Sequence, residues 1–186
     1  PLVVRSNIYD CVDWMLTSEW DDDDFGNFHA SKVNTHWHFL QFDNQSSDGV
    51  ITGFSNEQSV RPFTMLEKKT DKGLPLPLNT IFTKGSKKGD RVITLKNAAQ
   101  YHPGIEILIG ADNVGGNEVG RIQSIKGNEI TLVRPLKNDH PVKDIVTVEF
   151  VRQRFWVDSD VGTVFWHDHA LGRITWGHGG FGTMIV

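Results

Sequence analysis

Two His-x-His steps decide where this chain folds back on itself. Thr35-His36-Trp37-His38-Phe39 breaks an apolar run near the N-terminus, and Trp166-His167-Asp168-His169 follows a strand-like run near the C-terminus. In an extended strand alternate side chains share a face, so His36 and His38 point one way while Trp37 turns to the other. Two such pairs on neighbouring strands aim four imidazoles at one point, and neutral imidazole is the commonest protein ligand for transition metals. The pattern predicts a metal site, copper by preference, with part of its ligand shell donated from outside this chain.

The rest of the sequence reads as all-β. Strand-type runs are expected at Leu2–Val4, Val12–Leu16, Val33–Phe42 and Val50–Phe54, then at Arg91–Leu95, Ile105–Ile109, Glu118–Ile125 and Glu129–Val133. Pro62 cannot donate to a central ladder, so Glu57–Phe63 is expected at an edge or as a connection. Breaks at Pro103-Gly104, Gly115-Gly116 and Gly127-Asn128 are turn signals, and strands at this spacing suggest a small barrel or sandwich. Val146–Val157 resumes a long alternating pattern, and Phe181–Val186 reads as a closing strand after a glycine-rich stretch. No amphipathic helix is evident. The expected organisation is a β domain formed by 1–81 and 146–186, interrupted by a β-rich module at 82–145, with Glu67–Thr80 as an exposed connection.

Composition excludes some partners. At 186 residues with a net charge of −4 and no basic cluster, nothing points to nucleic acid or to an anionic membrane surface. No apolar run approaches the roughly 20 residues that cross a bilayer. Pro1 in place of Met, and a chain stopping at Met184-Ile185-Val186 within a strand-like run, suggest a processed or partial piece of something longer. Cys11 is the single cysteine, so no internal disulfide can form. Alternation predicts it as a small buried hydrophobe. Asp21–Asp24 reads as a solvated loop, with a weak site for calcium or manganese as the alternative. His29 is expected at the surface, and His102 and His140, each before a proline, as structural or surface residues with no ligand-type partner nearby.

Taken together, these motifs resemble the first-type cupredoxin domain of the multicopper oxidases, the group that includes laccases, ascorbate oxidase and bacterial manganese-oxidising enzymes. His36-Trp37-His38 is similar to the family's first step. Gly162–His169, continuing through Gly179-Gly180-Phe181-Gly182-Thr183 to Val186, is similar to its second. Asp48-Gly49 lies where the family places an Asp-Gly, and Gln41–Asp43, Ser47–Val50 and Glu57–Pro62 look most like the large manganese-linked bacterial members. The resemblance covers roughly residues 1–66 and 146–186, the stretch between looking like an insertion. It implies a Greek-key cupredoxin β-sandwich carrying a small inserted barrel-like module, in a periplasmic or extracellular protein.

Carried over residue by residue, the resemblance implies that His36 binds a type 2 copper, that His38 and His167 share one type 3 copper, and that His169 binds the other. Asp48 would relay protons to the reduced oxygen. Dioxygen and a small reducing substrate, Mn(II) before phenols, would be the reactants. Two departures stand out. Phe39 replaces the glycine usual after the first step, and the remaining copper motifs, including the whole type 1 site, are missing, so they would come from further cupredoxin domains of the same polypeptide or another subunit. His178 matches a family loop rather than a ligand. Two other readings stay open: a zinc or iron enzyme built on His-x-His, although Leu40-Gln41-Phe42 lacks the glutamate a cupin wants, and a non-catalytic cupredoxin-like module acting as a structural or interaction unit.

Overall fold

The computed structural model describes residues 2–18, 33–41, 59–60, 79–113, 115–170 and 172–186. Asp48, Asp21–Asp24, His29, Val50–Phe54 and Pro62 lie outside them. The protein is all-β, its described helical structure being one α turn, α1 (Gly172–Thr175), continued by a 3-10 turn at Trp176–His178. The chain divides into two compact units, residues 1–62 with 150–186, and residues 63–149.

The first unit holds β1 (Leu2–Arg5), β2 (Cys11–Leu16), β3 (His36–Trp37), β10 (Val151–Trp156), β11 (Thr163–His167) and β12 (Phe181–Ile185). Four of these form a sheet in the order β1-β12-β11-β3, with β1 parallel to β12 and the other pairs antiparallel; β2 and β10 form a separate antiparallel pair. Trp37, Val164, Trp166 and Met184 from the sheet meet Phe155 from the pair in one buried cluster, with Val4, Val12 and Trp14 packed against it. Trp14 stands edge-on to Trp37 at 5.0 Å. The two sheets are therefore joined by an aromatic core, and truncating one such tryptophan to alanine costs about 3–5 kcal/mol in comparable cores. Gly182 is required here, because a Cβ at that position would strike the Leu2 carbonyl and the Trp166 ring.

Two local expectations fail in this unit. Cys11 is exposed, not buried. Along β2 the alternation has the opposite phase, turning Val12 and Trp14 to the core while Cys11 faces Trp156 across the ladder. The strand expected over Val33–Phe42 is paired to β11 only at His36–Trp37, because the chain turns at His38 and Phe39 adopts φ +60°.

The second unit is a closed six-strand barrel. In order around the barrel its strands are β4 (Asn79–Lys84), β5 (Val92–Leu95), β8 (Glu129–Leu132), β7 (Glu118–Lys126), β6 (Glu106–Ile109) and β9 (Ile145–Thr147). Closure removes exposed edges. The interior is apolar, with Phe82, Ile93, Leu95, Ile107, Ile109, Ile122, Ile130 and Val146 all essentially inaccessible. The sequence signals for β5 to β8 correspond to barrel strands. The opening strand β4 gives no clear signal after the Lys- and Pro-rich stretch that precedes it. The alternating run at Val146–Val157 is two strands, not one: β9 closes the barrel, Glu149 donates its N–H back to Thr147 Oγ1 at 2.9 Å, and β10 begins in the other unit.

His140 is fully buried in the barrel and has two carboxylate partners. Its Nδ1 lies 2.7 Å from Asp144 Oδ2 and its Nε2 3.1 Å from Glu118 Oε1. Glu118 also accepts the N–H groups of Lys137 and Asn138. Buried polar groups are tolerated when hydrogen-bonded, which this triad achieves for the 137–144 connection. Gly110, at φ +71°, leaves room for it, since a Cβ there would sit 3.3 Å from both Asp144 and His140. His102, by contrast, is exposed.

Candidate metal centre

Strand pairing places the histidines. On β11, Val164 and Trp166 point into the core, so Phe165 and His167 share the opposite face. Trp166 pairs with Trp37 and His167 with His36 across the β3–β11 ladder. Both tryptophans are thereby turned inward and both histidines outward; a slip of one residue would exchange them. His38 follows at the turn, its main-chain N–H held by the Phe165 carbonyl at 3.0 Å.

All four imidazoles gather in one place. The His36 ring centroid lies 4.9 Å from that of His38, 5.3 Å from that of His167 and 4.4 Å from that of His169. His38 and His167 are 5.1 Å apart, His167 and His169 5.2 Å. One nitrogen from each of His36, His38 and His167 falls within a set spanning 4.8 Å, close enough to hold a metal ion. His169 stands beside this set through its ring contacts. The closest approach is His38 Nε2 to His167 Nε2, 3.0 Å. Two imidazoles on one ion, each at about 2.0–2.1 Å, bring their nitrogens to roughly this separation. A donor set of half-buried and buried imidazoles suits copper, zinc or iron alike.

The surroundings prepare these rings as ligands. His167 Nδ1 lies 2.9 Å from the Asp168 carbonyl, which accepts a hydrogen bond from Nδ1–H and so leaves Nε2 as the nitrogen with a lone pair to offer a metal. Phe165 stacks on His38 at 3.8 Å, and Trp176 stands edge-on to His167 at 4.8 Å. Phe165, His167, Trp176 and Phe181 line an apolar pocket of about 290 Å³ beside the cluster. Burial, and then the charges of His167 and His169, hold the His38 imidazole below its ordinary value. A lowered value keeps this ring neutral, and so able to ligate, into mildly acidic solution.

Trp37 is buried in the core, as its orientation requires. His178 is exposed in the 3-10 turn. Sequence reasoning overlooked Asp168, Asn34 and Thr175, three buried polar residues beneath the cluster. A carboxylate flanked by two histidines was the available signal.

No family model and no curated protein matches the chain. Among solved structures, the crystal structure of the Pseudomonas phage phi297 tailspike gp61 is similar to part of it, at 16% identity and a TM-score of 0.33, covering 40% of this chain and 14% of that one. Among the described residues no helix is long and apolar enough to cross a membrane.

Proposed function

We propose that this chain is the first-type cupredoxin domain of a multicopper oxidase and supplies about half of a trinuclear copper cluster. The carrying observation is the 3.0 Å approach of His38 Nε2 to His167 Nε2, one nitrogen from each His-x-His step. These are the two residues that the family resemblance assigns to a single type 3 copper. In this reading His36 holds the type 2 copper and His169 the second type 3 copper, the other ligands coming from further cupredoxin domains. The two sheets joined by an aromatic core are compatible with a Greek-key cupredoxin sandwich.

When bound, the coppers supply four-electron reduction of dioxygen to water, with electrons drawn from a type 1 copper outside this chain. The protein's own residues have simpler tasks. Asp168 orients His167 through its carbonyl, and Phe165 and Trp176 pack against the His38 and His167 rings and fix their planes. Asp48 is the proton-relay carboxylate of this reading. Mn(II) or a phenol is the reductant, oxidised at the type 1 site, and the location is periplasmic or extracellular.

The test is copper content and oxygen uptake of the assembly that contains the remaining ligands. Replacing His167→Ala should lower bound copper and reduce uptake to background. Unchanged uptake would favour a structural module, and stoichiometric zinc or iron in place of copper would favour a different metalloenzyme.

A further inference from the structure

The two His-x-His steps are held together by very little regular structure. β3 contributes two residues to the sheet, paired at Trp37 and His36 alone. A metal site needs its ligands placed within about 0.5 Å. Beneath the imidazoles, on the opposite side of the chain, lies a more exacting connection.

Asp168 separates His167 from His169, so alternation sends its carboxylate inward, where it is completely buried. Both oxygens are met by donors: Oδ1 by the Asn34 N–H at 2.8 Å, Oδ2 by the Thr175 hydroxyl at 2.6 Å. Asn34 stands two residues before His36, and its side-chain oxygen accepts the His169 N–H at 2.8 Å. The bonds run in both directions, a side chain of each step gripping the backbone of the other. Thr175 closes α1, and the next residue, Trp176, donates its indole N–H to the Asp168 carbonyl at 2.9 Å while its ring rests on His167. The Asp168 N–H, in turn, is taken by the Gly180 carbonyl at 2.8 Å. One residue thus ties β11, the segment before β3 and the helical turn to a common frame.

We propose that Asp168, acting through Asn34 and Thr175, is the positioning residue that holds the two His-x-His steps in register for a shared metal ion. Its carboxylate is taken up by Asn34 and Thr175 and is not itself a ligand. This rests on the metal-binding reading of the cluster and not on the metal being copper.

The test titrates Cu(II) and Co(II) into the metal-free protein and records dissociation constants and electron paramagnetic resonance spectra. Asp168→Ala removes both acceptors. It should weaken binding about 10- to 100-fold, the usual effect of losing a group that orients ligands, and reduce the number of imidazole nitrogens coupled to Cu(II). Asp168→Asn can still accept from Asn34 and donate to a rotated Thr175 hydroxyl, so it should restore most of the affinity and the spectrum. If Asp168→Ala does not fold, Asn34→Ala, which removes the grip on His169, should show the same loss of coupled nitrogens. Affinity and spectra unchanged in Asp168→Ala, or in Asn34→Ala where that variant decides, would overturn the positioning role and leave the metal site standing. If wild-type protein binds neither ion, or binds it as well after His167→Ala, the metal reading fails and the positioning role fails with it.

Discussion

At Phe39 the backbone, not the side chain, explains a departure from pattern. The residue sits at φ +60° with its ring largely in solvent, 76% exposed. A left-handed conformation costs a residue with a Cβ roughly 1–2 kcal/mol, and glycine adopts it without strain. Glycine is thus the residue that the turn after His38 asks for. Phe39→Gly should raise stability by about 1 kcal/mol, the relief being partly offset by glycine's greater freedom in the unfolded chain. A denaturant midpoint would show it; a fall would mean that the phenyl ring contributes more than its backbone costs. His36, His38, His167 and His169 were legible because their spacing alone implies a shared face. Asp168 was not, since its importance depends on Asn34 and Thr175, partners that no local pattern announces. Cys11 went wrong for a related reason: alternation gives a period but not its phase, and the phase is decided by which of Val12 and Cys11 meets the tryptophans.

Elements with strong turn signals were read well, and those without were not. β5 to β8 are bounded by glycine and proline turns, and β5 and β8 alternate in burial, whereas β4 follows a stretch that reads as a connection throughout. β9 and β10 merge in the sequence because each is apolar in alternation, and only barrel closure separates them. The connection after β5 is anchored to β9 by Tyr101, nearly buried, whose hydroxyl donates to the Val146 carbonyl at 3.1 Å. Burial pushes the Tyr101 phenol well above its ordinary value. The folded barrel therefore keeps this proton where an unfolded tyrosine, at about 10, loses it. The unfolded state then binds fewer protons, so the stability present below about pH 10 is lost as pH rises beyond it. In a Tyr9→Phe background, which leaves Tyr101 as the only tyrosine, phenolate absorbance should appear together with loss of the barrel's circular dichroism. Ionisation near pH 10 with the barrel intact would contradict this account.

At the scale of the whole chain, the histidine cluster and the barrel core lie in different units. His36, His38, His167, His169, Asn34, Asp168 and Thr175 all belong to the unit formed by 1–62 and 150–186, and the Phe82, Ile93, Ile107 and Ile130 core belongs to 63–149. An insertion is tolerated in this way when its own interior is closed and satisfied, as the barrel and its His140 triad are. Ile130→Ala tests the division. Ile130 is inaccessible at the centre of the barrel, so the truncation should cost that unit about 2–5 kcal/mol and lower its unfolding transition. Cu(II) affinity of the folded protein, titrated below that transition, should stay within about twofold, because sites that share no partners respond independently. A loss of tenfold or more would mean that the barrel core bears on the geometry of the histidines, and the site would then have to be understood as a property of both units.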